Sequence, residues 1–116
     1  MRHGKIKYSI GSSPSHRKSL LRNLAVEVID HGRIRTTHAK CKAIKPFVEK
    51  LITIAKTDSV ASRRLAFKKL NNKGAVKALF ELASNYKDRN GGYTRILRLA
   101  DKRVGDGSDM SYIALV

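Results

Sequence analysis

Apolar residues recur at helical spacing in four stretches of the chain and alternate with polar residues in shorter stretches between and after them. The first predicted helix spans residues 15–31, with its apolar stripe at Leu21, Leu24, Ala25 and Val28. Ser13 or Ser15 can cap its start, and Gly32 can end it. The pattern therefore predicts an amphipathic helix near the front of the chain.

A short strand and a second helix are predicted next. Residues 33–37 alternate, with Ile34 and Thr36 on one side and Arg33 and Arg35 on the other, as in a half-buried strand. Thr37 can cap a helix over residues 38–56. The apolar positions of that helix are Ile44, Phe47, Val48, Leu51 and Ala55. Pro46 lies inside it, so we expect the helix to be kinked or divided there.

Two further helices are predicted on either side of an Asn-Asn-Lys-Gly break at residues 71–74. Thr57 or Asp58 can cap the first, over residues 59–70. Its inward-facing residues are expected to be Ala61, Leu65 and Leu70. The second has the clearest core stripe of the chain, at Val76, Leu79, Phe80, Ala83 and Tyr86.

The last part of the chain predicts a β-hairpin. Residues 93–100 and 110–116 are β-rich, and Gly105-Asp106-Gly107 supplies a turn between them. A lone hairpin is only marginally stable, so we expect the strand at residues 33–37 to join it. The order helix, strand, three helices, two strands predicts a two-layer α+β fold in which helices pack on a small three-stranded sheet. We predict one domain over residues 15–116, preceded by an arm over residues 1–14.

Charge is concentrated at the front of the chain. The protein has 25 Lys and Arg against 9 Asp and Glu, a formal net charge of +16, and no acidic residue precedes Glu27. Such an excess repels itself unless a polyanion neutralises it. The arm contains Gly4, Gly11 and Pro14 and shows no sustained period, so we interpret it as an extended basic segment that lies along phosphates. A solubilising disordered tail is the alternative.

The sequence lacks the residues that disulfides, metal sites and the common catalytic motifs require. Cys41 is the single cysteine, so no intramolecular disulfide can form, and the four histidines fit no compact zinc pattern. The sequence has no phosphate-binding P-loop, no nucleophile elbow and no dense carboxylate cluster for a metal-dependent nuclease. No apolar run approaches the roughly 18–20 residues of a membrane span, and no secretory signal begins the chain. These features predict a cytosolic, non-enzymatic protein without cofactors or metals.

Nucleic acid is the polyanion that this pattern favours. At this point both a structural RNA-binding protein and a DNA-binding protein remain open. The third and fourth predicted helices, with the short break between them, could be taken for the helix-turn-helix of a DNA-binding architectural or regulatory protein. Against that interpretation, Arg63, Arg64 and Lys68 lie on the first of the two helices, whereas the recognition helix is normally the second. An RNA-processing nuclease is a third, weaker hypothesis.

Seven motifs follow one another along the whole chain. They are Met1-Arg2-His3; Ser15-His16-Arg17-Lys18 with Arg22-Asn23; Ile34 with Thr36-Thr37; Leu51-Ile52-Thr53 with Ala55-Lys56-Thr57-Asp58; Ser59-Val60-Ala61 with Arg63-Arg64-Leu65-Ala66-Phe67; Gly91-Gly92-Tyr93-Thr94-Arg95-Ile96-Leu97; and Tyr112-Ile113 with Leu115-Val116. In this order they resemble the bacterial large-subunit ribosomal protein family called L-seventeen. The resemblance implies an α/β fold, no catalytic activity, binding to large-subunit ribosomal RNA near the rim of the peptide exit tunnel, and a small ribosomal-protein neighbour, commonly L-thirty-two.

The resemblance and the charge pattern together predict a set of RNA-binding residues. These are Arg2, His3, Lys5, Lys7, His16, Arg17, Lys18, Arg22, Asn23, Arg35, Thr36, Thr37, Lys40, Arg63, Arg64, Lys68, Gly91, Gly92, Tyr93 and Arg95. The chain departs from the family at Gly4, Tyr8 and Ser12, where arginines are usual, and at Pro46, where the family has a helix-compatible residue. The serine-rich start superficially resembles an organellar presequence. Because the family motif begins at Arg2, however, a cytoplasmic bacterial ribosome is favoured over an organellar one.

Overall fold

The computed structural model describes residues 10–11 and 13–116, which form four α-helices, a short 3-10 turn and one antiparallel sheet. The helices are α1 (Pro14–His31), α2 (His38–Ala55), α3 (Val60–Leu70) and α4 (Lys73–Ala83), and the 3-10 turn is Ser84–Tyr86. The strands are β1 (Arg33–Thr37), β2 (Thr94–Lys102) and β3 (Asp109–Leu115). The predicted element order and the α+β architecture are confirmed. The predicted arm lies mostly outside the described residues, and the division of the chain near residue 14 stays a prediction.

The ends of α1 follow from local backbone chemistry. Ser13 is the N-cap, and its hydroxyl accepts a hydrogen bond from the backbone N–H of His16 at 3.1 Å. Gly32 ends the helix with a φ of 78°, in the left-handed region that favours glycine, and donates its N–H to the carbonyl of Val28. Both predicted helix signals are confirmed, with Ser13 rather than Ser15 as the cap.

α2 runs through the middle of the molecule and is continuous across Pro46. Thr37 caps it as predicted, accepting a hydrogen bond from the backbone N–H of Lys40 at 3.4 Å. Ile44 and Val48, on either side of the proline, are fully buried, whereas Pro46 itself is exposed. The prediction that Pro46 divides the helix is therefore wrong, because burial of the residues around it holds the two halves in one element. The alternative expectation, a kink at Pro46, stays a prediction.

α3 differs from its prediction in its cap and in the face that it buries. Ser59 is the N-cap, with its hydroxyl 3.1 Å from the N–H of Ser62, while Asp58 binds the side chain of Arg63 instead. Ala66 and Leu70 are buried, and the predicted inward residues Ala61 and Leu65 are exposed. The small side chain of Ala66 allows the helix to approach the core closely, so its inward face is turned by about one residue from the predicted stripe.

The sheet has the strand order β1-β3-β2, and its inner face packs on α2. Ile113 in the central strand is fully buried and pairs with Ile34 on β1 and Ile96 on β2. All five predicted core residues of the fourth helical stretch, Val76, Leu79, Phe80, Ala83 and Tyr86, are buried in the same cluster. β2 continues to Lys102, past the predicted end, with an irregularity in pairing between Arg98 and Lys102. The helices thus cover only one face of the sheet.

Candidate nucleic-acid interface

The start of the described chain is folded back against α1. Arg2, His3, Lys5 and Lys7, which were predicted to bind RNA, lie outside the described residues. Gly11 has a φ of 74°, and a side chain there would meet the backbone N of Arg17 at 3.0 Å. Arg17 in turn donates its Nε–H to the carbonyl of Ile10 at 3.1 Å. Arg17 therefore holds Ile10 against the first helix.

Arg22 also has a structural contact that the sequence does not reveal. Its Nε–H donates to the backbone carbonyl of Lys69, 3.1 Å away, at the C-terminal end of α3. Carbonyls in the last turn of a helix lack hydrogen-bond donors within the helix and carry partial negative charge. A guanidinium supplies both a donor and a positive charge. Arg22 joins α1 to α3, and it presents only part of its charge to solvent.

The other predicted residues of α1 lie on an accessible surface. Lys18 and Asn23 are exposed, and Asn23 lines a cleft of ≈ 470 Å³ together with Arg22, Asn71 and Asn72. His16 is exposed, but its backbone N–H is donated to Ser13. The N–H of Arg17 is likewise donated to the Ser13 carbonyl. A phosphate beside these two residues would have to be held by side chains.

The three cations of α3 that were predicted to bind RNA are not equivalent. Arg63 forms a two-pronged ion pair with Asp58, with N–O distances of 2.7 and 3.0 Å, and its guanidinium lies 4.6 Å from the ring centre of Phe80. The hydrogen bond from Arg63 lowers the pKa of Asp58 below its usual value. Arg64 and Lys68 are exposed, one turn apart, beside an apolar groove lined by Val60 and Phe67. Arg64 and Lys68 are therefore the cations of this helix that are placed to meet a polyanion.

Residues around the junction of β1 and α2 divide between the two faces of the sheet. Thr36 lies on the inner face, and Thr37 uses its hydroxyl to cap α2. Arg35 points to the outer face and is exposed, and Lys40 is half-buried. Of this predicted group, Arg35 is the most accessible.

His38 and Cys41, on the first turns of α2, face the buried Ser111 of β3. The His38 Nδ1 lies 2.8 Å from the Ser111 hydroxyl, and the Cys41 thiol lies 3.6 Å from the Ser111 carbonyl. Burial lowers the pKa of His38 below its usual 6.5, and the charge of Arg98 lowers it further. Burial raises the pKa of the Cys41 thiol to about 11. Neither group has the arrangement of an activated nucleophile.

The Gly91-Gly92-Tyr93 segment presents backbone on the surface and buries its aromatic ring. Gly91 and Gly92 are exposed, and Gly92 has a φ of 62°. Tyr93 is only 1% exposed; its hydroxyl accepts hydrogen bonds from Thr53 and Lys56, each at 3.3 Å. A base cannot stack on this ring without opening the core. The Tyr93 ring is therefore not accessible to RNA, whereas Arg95 is exposed on β2.

Sequence reasoning missed Arg33 and Tyr112 as candidate contacts. The guanidinium of Arg33 lies 4.9 Å from the ring centre of Tyr112 on the outer face of the sheet. The alternation of Arg33 and Arg35 along β1 signalled a basic strand face. The identity of the neighbouring strand, which brings Tyr112 alongside, could not be read from that alternation.

Comparison with known proteins gives the family. Residues 20–116 match the family model described as "Ribosomal protein L17". The chain belongs to this family. It is 46% identical, over the full length of both proteins, to "Large ribosomal subunit protein bL17" of Chloroflexus aggregans. It is 47% identical to the protein of that name from Persephonella marina, covering 95% of that protein, and 48% identical to the one from Flavobacterium johnsoniae, covering 71%.

Membership of the ribosomal protein L17 family makes the chain a structural constituent of the large ribosomal subunit rather than an enzyme. Within residues 10–11 and 13–116, no three His, Cys, Asp or Glu side chains come together as a metal site would require. None of the helices in the same part of the chain is long and apolar enough to span a membrane. The family assigned from the sequence motifs is confirmed.

Proposed function

We propose that this chain binds large-subunit ribosomal RNA near the rim of the peptide exit tunnel, in the cytoplasmic ribosome of a bacterium. The observation that carries the proposal is the set of exposed cations on α1 and α3, which follows an arm without acidic residues. Lys18 on α1 and Arg64 and Lys68 on α3 supply exposed cations. Because cations that meet phosphate release counterions, such a surface gains affinity for any RNA backbone that fits its shape.

Arg17 and Arg22 have a positioning role in this proposal. Each donates its Nε–H to a backbone carbonyl, which leaves the terminal nitrogens of the guanidinium to meet RNA. Arg17 holds Ile10 against α1, and Arg22 joins α1 to α3. The resulting contacts are to phosphate and sugar, so the protein holds folded RNA in place and reads no base sequence through this surface.

A protein neighbour in the subunit, of the L-thirty-two family, forms the second part of the proposal. Val60 is 66% exposed and Phe67 is 39% exposed, and both line the apolar groove of α3. Apolar side chains grouped on a surface mark a site that a partner covers. A segment of a small neighbouring protein that lies in this groove would bury both side chains while leaving Arg64 and Lys68 at its margin.

The DNA-binding alternative loses support from the packing of α4. A recognition helix must present side chains to the major groove. The stripe of α4 at Val76, Leu79 and Phe80 is buried in the core instead. Both arginines of this helix pair, Arg63 and Arg64, lie on α3, the first of the two helices, so we favour RNA over duplex DNA.

The test is the salt dependence of binding to purified large-subunit ribosomal RNA. Lys18→Ala and Arg64→Ala should each flatten the plot of log affinity against log salt by about 0.7–0.9 for every phosphate contact removed. Lys77→Ala, which removes an exposed charge from α4, is the matched control and should leave the slope unchanged. Equal slopes for all four proteins, or equal affinity for duplex DNA and ribosomal RNA in competition, would count against the proposal.

A further inference from the structure

The outer face of the sheet, which the described helices leave uncovered, combines arginines with an aromatic ring. Side chains alternate along a strand, so the pairing register decides which of them share a face. Arg33 pairs with Ala114 and Arg35 with Tyr112, while Arg95 pairs with Ala114 and Leu97 with Tyr112. Tyr112 therefore lies in the middle of this face, between Arg35 on one side and Leu97 on the other.

This face carries positive charges and no negative charge. Where the three strands pair without interruption, its positions are Arg33, Arg35, Thr37, Met110, Tyr112, Ala114, Arg95 and Leu97, with no acidic residue among them. Arg33, Arg35 and Arg95 form no ion pair with any described residue. Three unneutralised guanidinium groups within the width of three strands attract anions, and they disfavour a second copy of the same face.

The Arg33–Tyr112 pair favours a nucleic acid with unpaired bases over other anions. Arg33 lies over the Tyr112 ring, and Tyr112 is half-buried, so part of this flat pair faces solvent. Aromatic rings and guanidinium planes are the surfaces on which unpaired nucleobases stack, and adjoining arginines reach the phosphates. Leu97, 44% exposed, extends the flat surface on the other side of the ring.

We propose that the outer sheet face is a second RNA contact, in which an unpaired base stacks on the Arg33–Tyr112 pair and Arg35 and Arg95 hold the phosphates beside it. This inference rests on the proposed function, but it concerns a surface and a kind of contact different from those of α1 and α3. The helices position RNA through its backbone. The sheet face requires a nucleotide whose base is not stacked on neighbouring bases, such as one in a loop or bulge.

Two kinds of substitution separate stacking from charge. Tyr112→Leu removes the ring and no charge, so it should weaken binding to large-subunit ribosomal RNA by about 5-fold to 100-fold without changing the salt slope. Tyr112→Phe keeps the ring and should bind within about twofold of the unchanged protein. Arg35→Ala and Arg95→Ala should instead flatten the slope by about 0.7 each, as expected for single-stranded contacts.

A measurement on the unchanged protein avoids dependence on any variant that folds poorly. Large-subunit RNA carrying 4-thiouridine is photocrosslinked to the full chain, and the crosslinked peptides are mapped by mass spectrometry. Crosslinks at Tyr112 support the inference. Crosslinks that map to α1 and α3 with none on β2 or β3 overturn it.

The outcomes also distinguish this inference from the proposed function. If Lys18→Ala flattens the salt slope while Tyr112→Leu, folded by circular dichroism, binds as tightly as the unchanged protein, the helix surface stands and the sheet contact is refuted. If Tyr112→Leu binds RNA normally but fails to enter large subunits, the face meets a protein and the inference is overturned. If the unchanged protein does not prefer ribosomal RNA to unrelated RNA, both proposals fall.

Discussion

Two buried hydroxyl groups on the inner face of the sheet differ in their hydrogen bonding. Ser111 is fully buried and lies 2.8 Å from His38 Nδ1, whereas the Oγ1 of Thr94, a residue only 4% exposed, has no partner among the described residues. A buried hydroxyl without a partner costs about 1–3 kcal/mol. Thr94→Val should therefore leave the free energy of unfolding unchanged or raise it by about 1 kcal/mol, as measured by urea denaturation.

Ser111→Ala is the matched comparison for that substitution. It removes a hydroxyl that has a partner and leaves His38 Nδ1 unpaired, so it should lower the free energy of unfolding by about 1 kcal/mol or more. The prediction for Thr94 would be contradicted if both variants lost stability equally. Such a result would mean that the Thr94 hydroxyl has a hydrogen-bond partner in solution.

Single residues also show where sequence reasoning about the site stops. Lys18, Arg64 and Arg95 could be chosen from residue type and position because an exposed cation needs no partner to be recognised. Tyr93 could not be assigned, since its ring is buried in the core and its hydroxyl binds Thr53 and Lys56, which are distant in sequence. The contacts of Arg17 and Arg22 with backbone carbonyls are of the same kind. Such contacts can be recognised only when the relative positions of the helices are known.

At the scale of elements, Pro46 offers a test of how packing competes with helix propensity. A proline inside a helix removes one backbone hydrogen bond and crowds the preceding turn, at a cost of about 3 kcal/mol in an exposed helix. The buried residues on either side keep α2 continuous here. Pro46→Ala should therefore raise the free energy of unfolding by about 1–3 kcal/mol in urea denaturation.

The control for Pro46 is Lys50→Ala, an exposed substitution on the same helix, which should change stability by less than about 0.5 kcal/mol. An unchanged or lower stability for Pro46→Ala would mean that α2 depends on the bend or on the rigidity that proline supplies. The far-ultraviolet circular dichroism of both variants checks that helix content is retained.

The element boundaries were predictable where the signal is local. Ser13, Gly32 and Thr37 act through their own side chains or dihedral angles, and each was identified from residue type and position. The inward face of α3 was not, because Leu65 is as apolar as Leu70, and packing against α1, α2 and α4 selects Ala66 and Leu70. The continuity of α2 is likewise a property of its packing rather than of its sequence.

At the scale of the whole molecule, the net charge of +16 acts on folding and on RNA binding in opposite directions. Folding brings the excess cations together, so salt that screens their repulsion should stabilise the protein. RNA binding neutralises the same cations, so salt should weaken it. Raising KCl from about 20 mM to about 300 mM should therefore raise the midpoint of thermal unfolding while lowering the affinity for large-subunit RNA.

A variant with Lys77→Gln and Lys87→Gln separates these two effects. It removes two exposed charges outside the proposed RNA surfaces, so its unfolding midpoint should depend less on salt while its RNA salt slope stays that of the unchanged protein. A midpoint that falls with salt would contradict the prediction. It would mean that screening of ion pairs such as Arg63–Asp58 outweighs the relief of repulsion. The excess charge would then cost the free protein little, and RNA would be needed for placement in the subunit rather than for stability.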